Sequence, residues 1–306
     1  MGRLVFSSSG DLTRAPRGSR AGRGSFLVSW AGRAAESLFA TLFPADCRLC
    51  GAPLLRISRL PVCDDCLDAL HPIEGSVCAV CGERLLSPHV ASDDCAEPRC
   101  GLCRRQGPPF LKAAAYGSYD GGLRELIHLL KYQQVRPAAR VLGRMLAEVI
   151  AGLAPAFEEA RPWLVPVPLH PSRLRQRGFN QSELIAQEAL KFQPAIRGLE
   201  LHAAVLQRTR QTESQIGLTR HQRRENIRGA FNLTHPGEVQ GRDILLVDDV
   251  FTTGTTVSEC ARVLRRAGAT RVWVATVART IKTEATHAGP EFEARETQPT
   301  VAATFK

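Results

Sequence analysis

A chain of 306 residues, 44% of them hydrophobic, can build one sizeable core and a smaller module, since domains usually run to ~100–200 residues. A formal net charge of +10 favours anionic partners such as phosphorylated metabolites, nucleic acid or a membrane surface, although a charge of this size also serves ordinary solubility. No apolar run approaches the ~20 residues of a bilayer span, which argues against a transmembrane helix.

The first segment, 1–28, reads as a disordered basic tail. It is rich in Arg, Ser and Gly, has the single acid Asp11, and lacks the continuous apolar stretch of a secretory signal. The expectation is a cytoplasmic protein whose thiols stay reduced. Residues 29–110 form the next region. It opens on a short amphipathic helix, "SWAGRAAESLFATL", with Trp30, Ala34, Leu38 and Leu42 about a turn apart, and Pro44 ends it.

Nine of the ten cysteines follow between 47 and 103. Eight fall into C-x-x-C pairs: Cys47 with Cys50, Cys63 with Cys66, Cys78 with Cys81, and Cys100 with Cys103. Each such turn points two thiolates at one tetrahedral ion, and two turns complete a four-cysteine zinc site. The reading is a double zinc ribbon holding structural zinc, because a full tetrathiolate shell leaves no position for substrate. Sequential pairing of the turns is simplest; interleaved pairing stays open, as does the number of ions, one or two. Cys95 sits outside the pairs and reads as a spare or substitute ligand, and Cys260 reads as a small core residue.

Residues 111–281 alternate helical and strand patterns, so a mostly parallel α/β sheet flanked by helices is expected. "DGGLRELIHLLKY" sets Leu123, Leu126, Ile127 and Leu130 on one helix face, and Pro137 opens a second helix with Val141, Leu142, Met145, Leu146 and Val149 inward. "WLVPVPL" reads as a strand ending in a loop, and "SELIAQEALKF" as a helix. "ILLV" at 244–247 and "VWVATVA" at 272–278 read as buried strands, with the helix "VSECARVLRRAGA" between them, stopped by Gly268. Residues 282–306 read as a flexible polar tail.

The chemistry concentrates in "LLVDDVFTTGTT". Asp248 and Asp249 follow a buried strand, at the sheet edge where open α/β folds bind ligands. Adjacent carboxylates there can accept hydrogen bonds from a vicinal diol such as the ribose 2′- and 3′-hydroxyls. Thr252, Thr253, Gly254, Thr255 and Thr256 then form a tight loop whose N–H groups and hydroxyls, with a helix N-terminus behind, cradle an anion. Neither a P-loop lysine nor a G-x-G-x-x-G fingerprint is present. A diol site beside a phosphate cradle describes ribose 5-phosphate.

This stretch resembles the signature of type I phosphoribosyltransferases, whose loop holds 5-phosphoribosyl-1-pyrophosphate (PRPP). Together with "VPVPLHPSRLRQRGFNQSELIA", the Lys131-Tyr132 pair, "QRTRQTESQIGLTRHQRRENIRGAF" and the cysteine pairs, the chain over about 36–280 resembles the ComF family of competence-associated, phosphoribosyltransferase-like proteins with N-terminal zinc-binding cysteines. The resemblance implies a type I phosphoribosyltransferase fold, Mg²⁺ bound with PRPP, and a role in DNA uptake, with single-stranded DNA and a competence helicase as partners. It implies that Arg177, Gly178, Phe179 and Asn180 form the pyrophosphate loop. Lys131 either reaches the pyrophosphate or complements its helix C-terminus. Gln215, Arg223, Arg224 and Asn226 belong to a flexible loop that closes over PRPP, or to a connector whose arginines touch nucleic acid. Thr252 stands where purine-salvage relatives carry an Asp base, so the nitrogen acceptor is unidentified and 6-oxopurines are disfavoured. The alternative is a non-enzymatic single-stranded nucleic-acid-binding or helicase-partner protein reusing the fold.

Overall fold

A computed structural model describes residues 45–54, 56, 58–85, 97–157, 160–192, 198–212 and 219–281. The helix expected at 29–42, both tails, Cys95 and Gln215 lie outside the described residues. The chain divides into two compact units, Met1–Asp68 and Ala69–Lys306.

The smaller unit is built on its first two cysteine turns. Gly51 N–H closes one of them on the Cys47 carbonyl (2.8 Å), and Arg48 N–H reaches the Pro61 carbonyl (2.8 Å) to bring the two turns together. A single-turn helix, α1 (Asp64–Asp68), opens with two acids, which suit a helix N-terminus. Among its described residues only Cys47, Leu60 and Val62 are buried apolar groups. For these 22 described residues that is little apolar burial, and a metal held by the cysteines would supply much of their folding energy.

The larger unit begins with the other two cysteine turns and α2 (Gly101–Arg105), then the α/β domain. Its strands are β1 (Lys112–Ser118), β2 (Trp163–Pro166), β5 (Asp243–Phe251) and β6 (Arg271–Arg279), in the order β1-β6-β5-β2 with every pairing parallel. β3 (Leu206–Arg208) and β4 (Phe231–Leu233) make a separate antiparallel pair. The helices are α3 (Gly121–Tyr132), α4 (Ala138–Leu153), α5 (Pro171–Arg177), α6 (Gln181–Ala189), α7 (Arg220–Ile227) and α8 (Thr255–Arg266). α3 buries Leu123, Leu126, Ile127 and Leu130 as its periodicity requires. α4 buries Leu142, Met145, Leu146 and Val149 while Val141 is only half covered. Gly143 lets α6 approach closely: a Cβ there would stand 2.5 Å from Glu188 Cβ. β5 and β6 are covered on both faces, as parallel strands between helices are.

Three differences from the sequence reading bear on the site. The strand expected to end at Val247 continues to Phe251, so both aspartates are strand residues. "PSRLRQR", read as part of a loop, is helix α5, with Pro171 at its first turn and the His170 ring accepting from Ser172 N–H. The stretch read as a mobile loop or flexible connector, 211–231, contains all of α7 and the start of β4.

Candidate functional site: a cationic cleft at the carboxyl edge of the sheet

A cleft of ≈ 870 Å³ opens where β1, β2 and β5 end. Among the described residues its lining includes Arg124, Lys131, Arg173, Arg177, Arg208 and Arg223, against two carboxylates, Asp248 and Asp249. Six cations around two acids make a site for an anion larger than one phosphate.

The acids differ sharply although they are neighbours. Alternation along β5 sends them to opposite faces of the strand. Asp248 Oδ1 accepts from Ser182 Oγ (2.9 Å) and from Asp249 N–H (2.9 Å). Burial, and then the charge of Asp249, pushes the Asp248 carboxyl up to about 8. Asp249 forms an ion pair with Lys131 at the end of α3. Burial opposes its ionisation, but the Lys131 ammonium outweighs it and holds Asp249 below the usual carboxylate range. The same contact raises Lys131, against the cost of burying an ammonium. The two neighbouring carboxyls are thus shifted in opposite directions, Asp248 toward its protonated form and Asp249 toward its ionised form.

Beyond Phe251 the chain turns at Gly254, which has φ 72° and precedes α8. A Cβ on Gly254 would meet the Phe251 ring at 2.5 Å, so the residue is fixed by both backbone and space. Thr252 and Thr256 line the cleft, while Thr253 and Thr255 join their hydroxyls at 2.7 Å.

Of the residues expected to hold pyrophosphate, Arg177 lines the cleft, donating to Gln181 Oε1 (2.9 Å) with its guanidinium 5.4 Å from the Tyr132 ring. Gly178, Phe179 and Asn180 do not line it. Gly178 ends α5 at φ 75°. Phe179 packs beneath Arg136 at 5.1 Å. Asn180 caps α6, accepting from Ser182 N–H (3.1 Å) and donating to the Val167 carbonyl (3.1 Å). Arg223 faces the cleft; Arg224 on the same helix donates to Gln106 (3.0 Å), and the Asn226 carbonyl accepts from Arg210 (2.8 Å).

Sequence reasoning did not find Arg208. It is buried, bonded to Thr212 and stacked 5.4 Å from Phe231. The Tyr119–His128 pair, 3.0 Å apart on the cleft wall, was also missed. An arginine inside a long polar string carries no signal of its own; only the β3–β4 pairing buries it.

The eight paired cysteines assemble as two sequential groups, Cys47, Cys50, Cys63, Cys66 and Cys78, Cys81, Cys100, Cys103, each with its four sulfurs within 4.8 Å of one another. Sulfurs of Cys50 and Cys63, and of Cys81 and Cys100, are 3.7 Å apart. Four thiolates at ~2.3 Å from a tetrahedral zinc stand about 3.8 Å apart, so both groups fit the ion. Burial works against ionising Cys47 and Cys78, but backbone N–H groups aimed at their sulfurs bring them down to about 6 and about 7.

The parallel sheet, the cleft at its carboxyl edge and the two cysteine groups define a type I phosphoribosyltransferase fold with a double zinc ribbon that carries structural zinc. Residues 190–303 match the phosphoribosyl transferase domain family, and residues 38–104 the double zinc ribbon domain family. Over 241 residues, 78% of this chain and 98% of the relative, the sequence is 34% identical to the DNA utilization protein YhgH of Escherichia coli K12. It is 30% identical to competence protein F of Haemophilus influenzae, over 71% of this chain and 96% of that protein. It is 27% identical to competence protein ComFC of Bacillus subtilis, over 68% and 79%. The chain belongs to the ComF family.

Proposed function

We propose that the cleft binds PRPP with Mg²⁺ and transfers its phosphoribosyl group to a nitrogen acceptor, in the service of DNA uptake during natural competence. The observation that carries this reading is the Asp248–Asp249 pair, set in a cleft lined by six cations and followed at once by the Gly254 turn into α8. In this reading the Asp248 and Asp249 carboxyl oxygens accept hydrogen bonds from the ribose hydroxyls. The Thr252–Thr256 loop takes the 5′-phosphate at the α8 N-terminus. Arg177 and the neighbouring cations take the pyrophosphate, bidentately where the geometry allows. As the bond from C1 to pyrophosphate breaks, positive charge develops at C1, and the acceptor nitrogen forms the new bond. These residues contribute position and electrostatics. The hard oxygen donors of Asp248 and Asp249 suit Mg²⁺ carried in with phosphates, and the ion would neutralise charge on the departing pyrophosphate. Thr252 supplies no base, which disfavours 6-oxopurine acceptors.

The test is calorimetric titration of PRPP with Mg²⁺ into the wild type and into Asp248→Ala/Asp249→Ala. Micromolar binding that the double variant loses is the expected result. No binding to a folded, zinc-loaded wild type would remove the reading.

A second reading, contact with single-stranded DNA and through it a competence helicase, is supported by a cluster of arginines. Arg224 of α7, Arg228 just beyond it and Arg266 of α8 surround Arg262, whose pKa falls through partial burial and then through the charges of these neighbours. The names borne by the relatives, for DNA utilization and competence, favour the same setting. Binding of a labelled oligonucleotide should weaken steeply with salt, each phosphate contact adding ~0.7 to the log–log slope for single strands. A salt-independent affinity would count against it. A cytoplasmic location suits eight thiols kept reduced for metal; no helix among the described residues is long and apolar enough to cross a membrane.

A further inference from the structure

The second cysteine group and the anion loop are joined by one buried side chain. Arg279, at the end of β6, is 2% exposed. Its guanidinium donates to the Cys81 carbonyl, inside the zinc turn, and to Glu83 Oε2 at 2.6 Å. These acceptors are set by the turn itself, which Gly82 N–H closes on the Cys78 carbonyl (2.8 Å) and Cys78 N–H closes on the Glu83 carbonyl (2.7 Å). The guanidinium carbon lies over the Phe251 ring, 4.9 Å from its centroid. Phe110, seven residues beyond Cys103, meets the same ring edge-on at 6.2 Å. Phe251 in turn fills the space beside Gly254 that a Cβ would need. The path runs from zinc turn to guanidinium to phenyl ring to the turn that begins the Thr252–Thr256 loop, through groups in direct contact.

We propose that Arg279 is a positioning residue that couples metal occupancy of the Cys78–Cys103 group to the conformation of the Thr252–Thr256 loop. Zinc fixes the turn, and the turn supplies both acceptors of a buried cation. When zinc leaves, the Cys81 carbonyl and Glu83 lose their fixed places. A buried guanidinium without acceptors is costly, so Arg279 follows them or admits water. Either movement withdraws one wall of the Phe251 ring, and Gly254 has no side chain to resist the ring's displacement. The coupling is reciprocal: an anion that orders the loop should tighten zinc at this group and leave the Cys47–Cys66 group unaffected. The last statement rests on the proposed phosphate role of the loop; the effect of zinc on the loop does not.

Amide hydrogen exchange on the full, zinc-loaded chain tests the first statement without any ligand. Exchange of Phe251–Val257 is compared in wild type, Cys50→Ser, Cys100→Ser and Arg279→Met, with Ile244–Val247 in each variant as the measure of intact folding. Arg279→Met and Cys100→Ser should speed exchange in the loop about tenfold, and Cys50→Ser should leave it unchanged. Arg279→Lys, which keeps a cation but loses the planar fork, should recover only part of the protection. Unchanged loop exchange in a folded Arg279→Met protein overturns the proposal, and so does an equal effect from Cys50→Ser. Should Cys100→Ser fail to fold, Arg279→Met and Arg279→Lys decide. The second readout is the rate of zinc transfer to a chromogenic chelator with and without PRPP. PRPP should slow release from one of two zinc ions about tenfold, and Arg279→Met should abolish the difference. If PRPP fails to bind the wild type, the phosphoribosyl reading falls while the exchange experiment still judges the coupling.

Discussion

The two cysteine groups have the same ligands and the same local turn, yet they occupy opposite physical settings. In the first, Cys50 is exposed and Cys63 and Cys66 are half-buried. In the second, Cys78, Cys81 and Cys103 are buried within one continuous apolar cluster that includes Phe110, Phe251 and Val274 of the α/β domain. Around the first group, among the described residues, only Cys47, Leu60 and Val62 are buried apolar groups, so metal there stands in for apolar burial. In the second it secures one margin of a core that exists already. The C-x-x-C spacing specifies the ligand geometry and says nothing of which role the metal has.

The largest expected effect would separate these roles. Cys103→Ser removes a buried ligand, and the larger unit should lose about 4 kcal/mol, or on the order of 10 °C in Tm. Cys66→Ser should remove one zinc ion and the exchange protection of residues 47–68, yet leave the main calorimetric transition within about 1 °C. Calorimetry paired with zinc stoichiometry reads both. Equal shifts in the main transition would mean that the two groups are not energetically distinct.

A pH scan sharpens the contrast. Asp248, in the larger unit, has its pKa raised to about 8 from an ordinary value of 3.8. Below pH 4 it is protonated whether the chain is folded or not. Between about 4 and 8 the unfolded chain gives up this proton and the folded one retains it, so stability falls as pH rises, and it levels off above 8. Asp249 has the opposite shift and matters only as pH falls below its usual range. The loss from Asp248 should amount to a few kcal/mol. Asp248→Asn should flatten the slope in urea denaturation curves between pH 5 and 8. A wild-type curve that is flat across this window would contradict the assignment of the proton to Asp248.

What could be read from the sequence follows from the range of the interactions involved. "ILLV" and "VWVATVA" are legible because strands buried on both faces must be apolar throughout. The Asp-Asp-to-Thr-rich turn is legible because its parts are fixed by local geometry. β1 was not legible: "KAAAYGS" has little β-propensity, and it becomes a strand by pairing in parallel with β6. α5 was hidden by its five polar residues, which show no apolar face; its start is set by His170 and Pro171. The Lys131–Asp249 pair joins a helix end to a strand end far away in the chain, and this partner, which neither reading of Lys131 named, is visible only in three dimensions. The same holds for the pairing of the cysteine turns and for the burial of Arg208 between Phe231 and Thr212.

The finest test of the comparison uses one substitution at equivalent places. Gly51 and Gly82 each directly follow the second cysteine of a turn, and both have left-handed backbone, φ 74° and 70°. Alanine should therefore carry the same backbone cost at both, about 1 kcal/mol. Their surroundings differ. A Cβ at Gly51 has nothing within 4 Å, whereas at Gly82 it stands 3.2 Å from the Ala113 carbonyl and 3.6 Å from the Arg279 guanidinium. The carbonyl belongs to β1, and β1 is held along its length by β6, so it cannot yield freely. Gly82→Ala should consequently cost about 1–2 kcal/mol more than Gly51→Ala, as crowding in a packed core does. The excess should appear in denaturation of the larger unit, while the common part appears in zinc affinity at each group. Equal costs would mean that the second turn can move away from β1 at little expense, and that the cysteine group is less firmly joined to the core than its burial implies.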